Sequence, residues 1–363
     1  MAALACDGYV SEWQSQNQHG PGDGLTAQLF NDVGQRVGLP FFIESNTVST
    51  QTIGGVAATS DGGFVVTWKG VGFADSIARK FDSTGAPETD EFQVNTETYS
   101  TQNQPEVTGL TGGGYVVTWS SFNDETFTFD IRAQRYDANN MPVGAEFTVN
   151  TTTASTQQNS EVASLSDGGF VVVWQDDSGA DGSSSGVFGQ RYDAAGVAQG
   201  GEFQINSTTA GSQLEADVVG LNGGGFVAVW TDYNGSDGNA GGVYAQIYDA
   251  TGATVGGEFL VNQTTNSWQW QPAVAATADG GFFVSWYGYG TQLGVTFDIV
   301  GRHFDANGVA QGDEVIINQD GTGTDPQRPD VIALSNGAIV TGWDYPAANG
   351  DGSGRAVYQA VCE

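Results

Sequence analysis

The feature that most constrains the fold is an eight-residue stretch, DGGFVVVW from Asp167 to Trp174, in which a Gly turn runs straight into a strand apolar on both faces. It returns as DGYVSEW from Asp7, DGGFVVTW from Asp61, GGGYVVTW from Gly112, GGGFVAVW from Gly223, DGGFFVSW from Asp279 and NGAIVTGW ending at Trp343. The terminal tryptophans stand at 13, 68, 119, 174, 230, 286 and 343, a period of 51 to 57 residues. Side chains alternate across a strand, so Phe170, Val172 and Trp174 face one way and Val171 and Val173 the other. A strand wetted on one face carries polar residues at every second position. These strands do not, and each must be covered on both sides.

Around each copy the sequence supplies three more strands. In the fourth repeat they are strand A at 161–165, strand C at 187–192 and strand D at 202–205, with strand B at 170–174. SDGG joins A to B and DAAGVAQGG joins C to D, both with Gly and Asp where tight turns need positive φ. QDDSGADGSSSG between B and C, and NSTTAGSQLEA before the next A, are longer exposed connections. A repeat running end to end argues for one domain. With 54 Gly and no sustained helical period, the chain reads as strands and turns with no long helix. The expected architecture is all-β: a seven-bladed β-propeller of four-stranded antiparallel blades, with the small-residue strand A innermost. The expected blades are 1–46, 52–95, 104–150, 159–206, 215–262, 271–318 and 328–363, the last lacking its outer strand.

Ten Lys plus Arg against 42 Asp plus Glu leave a formal charge of −32, which repels phosphate backbones and anionic lipid, so neither nucleic acid nor membrane insertion is expected. No stretch approaches the ~20 apolar residues of a membrane span. Cys6 falls in the first A–B turn and Cys362 ends the last strand C, on one expected rim. A disulfide between them would close the ring, with a stabilisation of about 4–5 kcal/mol on the chain-entropy argument. The competing reading is two unpaired thiols. The disulfide favours an oxidising compartment, hence a secreted or cell-surface location.

The same strand directions place the B–C and D–A loops on one face, where binding residues concentrate. One group of loops is acidic and Gly-rich: Asp176, Asp177 and Asp181, then Asp232 and Asp237, then Asp344 and Asp351. Hard cations want six to eight oxygens, so calcium is the cofactor this pattern suits, and no organic one is indicated. The alternative is Asp and Asn bonding their own turn backbone. The other group is aromatic, FNDETFTFD from Phe122 and YGYGTQLGVTFD from Tyr287, and NSWQWQ from Asn266 precedes the sixth strand B. Trp268 and Trp270 lie outside the repeat consensus. With Tyr287 and Tyr289 they form an expected platform for sugar rings, with Asn266, Gln269 and Gln271 as hydrogen-bonding flanks. The bland alternative is two Trp covering a gap between blades.

The chemistry of catalysis is harder to find. His19 and His303 are the only histidines, no Ser, His and Asp set emerges, and chance pairs among 42 acids are inevitable. The sequence alone therefore assigns no catalytic residue and reads as a non-enzyme. The consensus DGGFVVVWQ, GVFGQRYDAAG, GGEFQIN and NTT resembles a tandem repeat of large secreted bacterial proteins associated with hemolysin-type calcium-binding segments and adhesin-like architectures. The calcium-binding nonapeptides themselves are absent from this chain. The resemblance implies a secreted or surface role. The resulting expectation is a ligand-binding or adhesion propeller that takes an extracellular glycan, with an assembly module docking a protein partner as the alternative. A polysaccharide lyase or hydrolase ranks below both. Oligomeric state is not legible.

Overall fold

The computed structural model describes residues 1–5, 8–16, 23–45, 51–70, 75–289, 297–318, 327–346 and 355–362. Among them there is strand and turn but no helix, and so no helix long and apolar enough to cross a membrane. The first sheet holds β1 (Ala2–Leu4), β2 (Gly8–Gln16), β3 (Asp23–Asn31) and β4 (Arg36–Phe42). The second holds β5 (Thr52–Ala58), β6 (Phe64–Lys69), β7 (Ser76–Phe81) and β8 (Phe92–Gln93). The third holds β9 (Gln102–Gly109), β10 (Tyr115–Asn123), β11 (Thr128–Tyr136) and β12 (Phe147–Thr148). The fourth holds β13 (Gln157–Ser164), β14 (Phe170–Asp176), β15 (Gly186–Tyr192) and β16 (Phe203–Gln204). The fifth holds β17 (Gln213–Gly220), β18 (Phe226–Asp232), β19 (Gly242–Tyr248) and β20 (Thr254–Leu260). The sixth holds β21 (Gln269–Ala276), β22 (Phe282–Tyr289), β23 (Phe297–Phe304) and β24 (Val315–Ile316). A last sheet holds only β25 (Gln327–Ala333), β26 (Ile339–Pro346) and β27 (Arg355–Cys362).

The expected blade count is thereby corrected: the fold is a β-propeller of six four-stranded antiparallel blades, not seven. Copies of strand B count sheets, not complete blades. The seventh copy, in β26, sits in a three-stranded sheet. The proposed disulfide falls outside the described residues, because Cys6 does, and for Cys362 only the backbone strand is described.

The chain divides into two compact units, Met1–Trp174 with Gln190–Glu202, and Gln175–Gly189 with Phe203–Glu363. In the first unit, Phe64, Val66 and Trp68 of β6 enter a core with Val10, Leu25 and Leu29, whereas Val65 enters another with Val107, Val117 and Trp119. One strand thus feeds two cores with alternate side chains, as its two apolar faces require. Both glycines of the turn are needed. Gly168 takes φ 88°, and a Cβ on Gly169 would stand 2.2 Å from the carbonyl oxygen of Tyr192. A buried indole nitrogen needs an acceptor, and in the third and fourth sheets strand A supplies a Gln: Trp119 Nε1 donates to Gln102 Oε1 at 2.8 Å and Trp174 Nε1 to Gln157 Oε1 at 3.1 Å.

In the second unit, Val227, Val229, Phe282, Val284 and Trp286 share one core, and Ala275, Phe283, Val331 and Trp343 share another. Trp286 Nε1 donates to Gln269 Oε1 at 2.8 Å. The strand-C glutamines and arginines serve backbone. Gln246 donates to the carbonyl of Ile247, and Arg302 to those of Gly312 and Val261. Asp249 and Asp305 accept turn N–H groups after strand C.

A carboxylate also straps neighbouring sheets within the first unit. Glu202 accepts the backbone N–H groups of Thr151 at 2.6 Å and Thr152 at 3.2 Å and the hydroxyl of Thr152. Burial opposes ionisation of Glu202, but these donors outweigh it and hold its pKa below the usual 4.5. Its contribution to stability is therefore present above pH ~4.5 and lost as pH falls through the lower folded value. We expect Glu202→Ala to cost about 1–2 kcal/mol in urea unfolding at neutral pH. The gap from wild type should close in acid. An equal cost at pH ~3 would assign the effect to lost packing rather than to the charged acceptor.

Candidate active site

Strand A carries an irregularity that recurs along the chain. The A–B register slips in β5, β9, β17, β21 and β25. Gln104, Asn159, Glu215, Gln271 and Arg328, spaced 55, 56, 56 and 57 residues apart, all take φ between 50° and 55°. Non-Gly residues in this left-handed region are held there by their surroundings, and bulges of this kind concentrate at functional sites. Two residues beyond each of four of these positions stands an acid, namely Glu106, Glu161, Asp217 and Asp330.

In the second unit this geometry gathers carboxyl groups. Leu214 pairs with Thr231 and Asp217 with Val229, so Glu215 and Ala216 together oppose Trp230. Glu215 Oε2 accepts the hydroxyl of Thr231 at 2.9 Å and the backbone N–H of Gln271 at 3.0 Å, and the Tyr233 phenol is hydrogen-bonded to the same carboxylate. Burial, with Glu215 beside it, pushes the Tyr233 phenol up, so it stays a neutral donor. Asp217 Oδ1 accepts the N–H of Val218 at 2.7 Å and Oδ2 that of Val274 on β21 at 2.8 Å. Asp217 lies deep among these strands yet keeps part of its own surface accessible. Burial raises its pKa to about 7, the two N–H bonds pull the other way, and the charge of Asp330 on β25 raises it further. A carboxyl group raised toward neutrality beside a second one is a pairing that proton-transfer chemistry uses.

An aromatic cluster joins this site through Tyr233. Tyr233 lies 5.9 Å from Trp268, Trp268 5.6 Å from Trp270 in edge contact, and Trp270 4.8 Å from Tyr287. Phe297 stacks on Tyr287 at 4.7 Å and meets Tyr289 at 4.8 Å. The structure thus brings together the four aromatics singled out in the sequence. Trp268 is 40% exposed and Tyr289 36%, whereas Tyr287 is buried. The polar flanks divide. Asn266 is exposed, Gln271 receives the Arg328 N–H on Oε1 at 3.4 Å, and Gln269 Oε1 is taken by the Trp286 indole.

Among the acidic-loop residues, Asp176, Asp181 and Asp232 are buried, Asp177 accepts from Gln175 at 2.7 Å, and Asp351 lies outside the described residues. Asp344 pairs with Val357 on β27 and with Gln327 on β25. No three His, Cys, Asp or Glu side chains converge as a metal group among the described residues. In the first unit the FNDETFTFD loop walls a cleft of about 390 Å³ with Tyr99, Phe122, Asp130 and Arg132.

No protein family and no curated protein matches the sequence. Solved structures do match the fold. A protein of unknown function from Dyadobacter fermentans aligns with a TM-score of 0.57 at 12% identity, over 86% of this chain and 93% of its own. An α-L-arabinofuranosidase from Fusarium graminearum aligns with a TM-score of 0.57 at 11% identity over the same shares, 86% and 93%. A polysaccharide lyase aligns with a TM-score of 0.54 at 11% identity, over 99% of this chain and 90% of its own. At such identities the likeness is one of fold. It nevertheless corrects the expectation of a non-enzyme, because the same propeller architecture houses glycan-cleaving enzymes. The acids of strand A are the group that sequence reasoning passed over. Their signal was an acid immediately before a strand-A Val, at Val107, Val162, Val218 and Val331.

Proposed function

We propose that this chain is a carbohydrate-active enzyme that hydrolyses glycosidic bonds of an extracellular glycan. The observation that carries this reading is the Asp217 carboxyl group, two residues beyond the bulged Glu215, held by the N–H groups of Val218 and Val274, its pKa raised to about 7 by burial and by the charge of Asp330. Asp217 donates its proton to the leaving glycosidic oxygen. Asp330 is the second carboxyl group, placed to receive the attacking water's proton or to stabilise the cationic transition state. Glu215, fixed by Thr231 and Gln271, orients sugar hydroxyls, and the exposed face of Trp268 stacks a sugar ring next to Tyr233. The likeness to an α-L-arabinofuranosidase and a polysaccharide lyase supports the substrate class and leaves the sugar open.

The test is release of reducing ends from a panel of neutral and uronate polysaccharides, arabinan and polygalacturonate among them, with ultraviolet absorbance of unsaturated product read in parallel. Reducing ends without unsaturation support hydrolysis. Unsaturated product assigns elimination instead, and no release from any polymer overturns the proposal. On the substrate that responds, we expect Trp268→Ala to raise KM about five- to tenfold with kcat nearly unchanged, the scale of one lost stacking contact. A fall in kcat alone would remove Trp268 from the substrate platform.

A further inference from the structure

The loops after β14 and β18 share one spacing, each reading Asp, four residues, then Asp-Gly. Asp176 Oδ1 accepts the N–H of Ser178 at 2.6 Å and Asp181 Oδ1 that of Ser183 at 2.9 Å. In the second loop Asp232 Oδ1 accepts from Asn234 at 2.6 Å and Asp237 Oδ1 from Asn239 at 3.1 Å. Gly179 and Gly182, and likewise Gly235 and Gly238, take positive φ between 71° and 103°. One oxygen of each carboxylate therefore closes its own turn, which accounts for the local geometry. It does not account for the other oxygens. Oδ2 of Asp181, Asp232 and Asp237 is in each case buried without a hydrogen-bond partner, and Asp232 as a whole is 1% exposed.

In the second loop the two aspartates also converge. Asp232 pairs with Gly242, and a Cβ on Gly242 would stand 3.2 Å from that of Asp237 and 3.3 Å from Asn262 Oδ1. In the sister loop, a Cβ on Gly186 would meet Asp181 Oδ2 at 3.1 Å. Buried anionic oxygens need a counter-charge, and among the described residues no donor reaches Oδ2 of Asp181, Asp232 or Asp237.

We propose that each of these two loops binds one calcium ion, between Asp176 and Asp181 and between Asp232 and Asp237. The Oδ2 atoms of Asp181, Asp232 and Asp237 are the anionic ligands, with loop carbonyls and water completing an all-oxygen shell. Flexible Gly-rich loops and hard oxygen donors suit calcium's variable six to eight ligands better than the strict octahedron of magnesium. The absence of His and Cys from both loops does not suit zinc. Two carboxylates per ion place the affinity in the weak range of extracellular modules, Kd about 10⁻⁴–10⁻³ M. Asp344 stands one residue after its tryptophan, whereas Asp176 and Asp232 stand two after theirs, so that loop is not part of the proposal.

The experiment is calorimetric titration of calcium chloride into the chelator-treated full chain, with thermal unfolding in calcium, in magnesium and in chelator. Two sites in wild type, a Tm raised by calcium but not by equal magnesium, and one remaining site in Asp232→Asn/Asp237→Asn are expected. In chelator this variant should unfold no lower than wild type, because Asn keeps the turn-capping oxygen and loses the repulsion. No calcium binding, an equal magnesium effect, two sites surviving in the variant, or a variant destabilised in chelator would each overturn the proposal. Should the variant fail to fold, terbium luminescence excited through Tyr244 and Trp230 in wild type decides. Sensitised emission displaced by calcium supports the site, and its absence refutes it.

Discussion

Asp217→Asn is expected to lower the rate of glycan cleavage about 10²- to 10⁴-fold with KM little changed, the usual worth of a general acid. The substitution keeps the shape and one acceptor oxygen, so either the Val218 or the Val274 N–H keeps its partner. A modest loss of stability follows from the other bond. A collapse of activity at a temperature where the variant is fully folded belongs to the chemistry. If activity falls only in step with the folded fraction, Asp217 is a strap between β17 and β21 and nothing more.

The pH profile separates the two roles. A proton donor with its pKa near 7 gives an activity that declines on the alkaline side of neutrality. Asp330→Asn removes the charge that helps raise Asp217, so the alkaline limb should move to lower pH, which a purely structural Asp217 would not produce. Stability has its own signature. Because folding raises the pKa of Asp217 from 3.8, its contribution is fully present below that value and is lost as pH rises through about 7. This is opposite in sign to Glu202, whose depressed pKa makes its contribution fail in acid.

What the sequence disclosed was the part of the fold set by local chemistry. The two apolar faces of Phe170 to Trp174 predict burial on both sides, and β6, with the same pattern, feeds two cores. The Gly pair predicts the tight turn. The missing outer strand of the last repeat was legible, since β25 to β27 form a three-stranded sheet, whereas seven copies of strand B could not disclose that this sheet does not count as a seventh blade. The site was half legible. Trp268 and Trp270 stood out because they break the repeat. Asp217 and Asp330 did not, because they obey it, and their significance arises from bulge and burial that only the packed strands create. Gln269 was placed among ligand contacts by its neighbours in NSWQWQ. Alignment with Gln102 and Gln157 shows why its side chain instead serves the strand-B indole.

That indole carries the largest expected effect on stability. Trp286 is fully buried between Val229, Val284 and Val300, and its nitrogen is satisfied by Gln269. Trp286→Ala should cost about 3–5 kcal/mol in urea unfolding followed by circular dichroism, since it removes a whole ring's burial and leaves a cavity that strands on both sides cannot close. Trp286→Phe isolates the polar part. Most of the ring volume remains, but Gln269 Oε1 loses its donor, for a cost of about 1–3 kcal/mol. Adding Gln269→Leu to Trp286→Phe should recover part of that loss, because an apolar pair replaces an orphaned acceptor. The same tryptophan holds β22 in register with β21, whose next residues are Trp270 and Gln271. Activity in Trp286→Phe should therefore fall before unfolding begins, as the Gln271 N–H drifts from Glu215. Full activity up to the unfolding transition would show that the bulge holds Glu215 without help from the core beneath it.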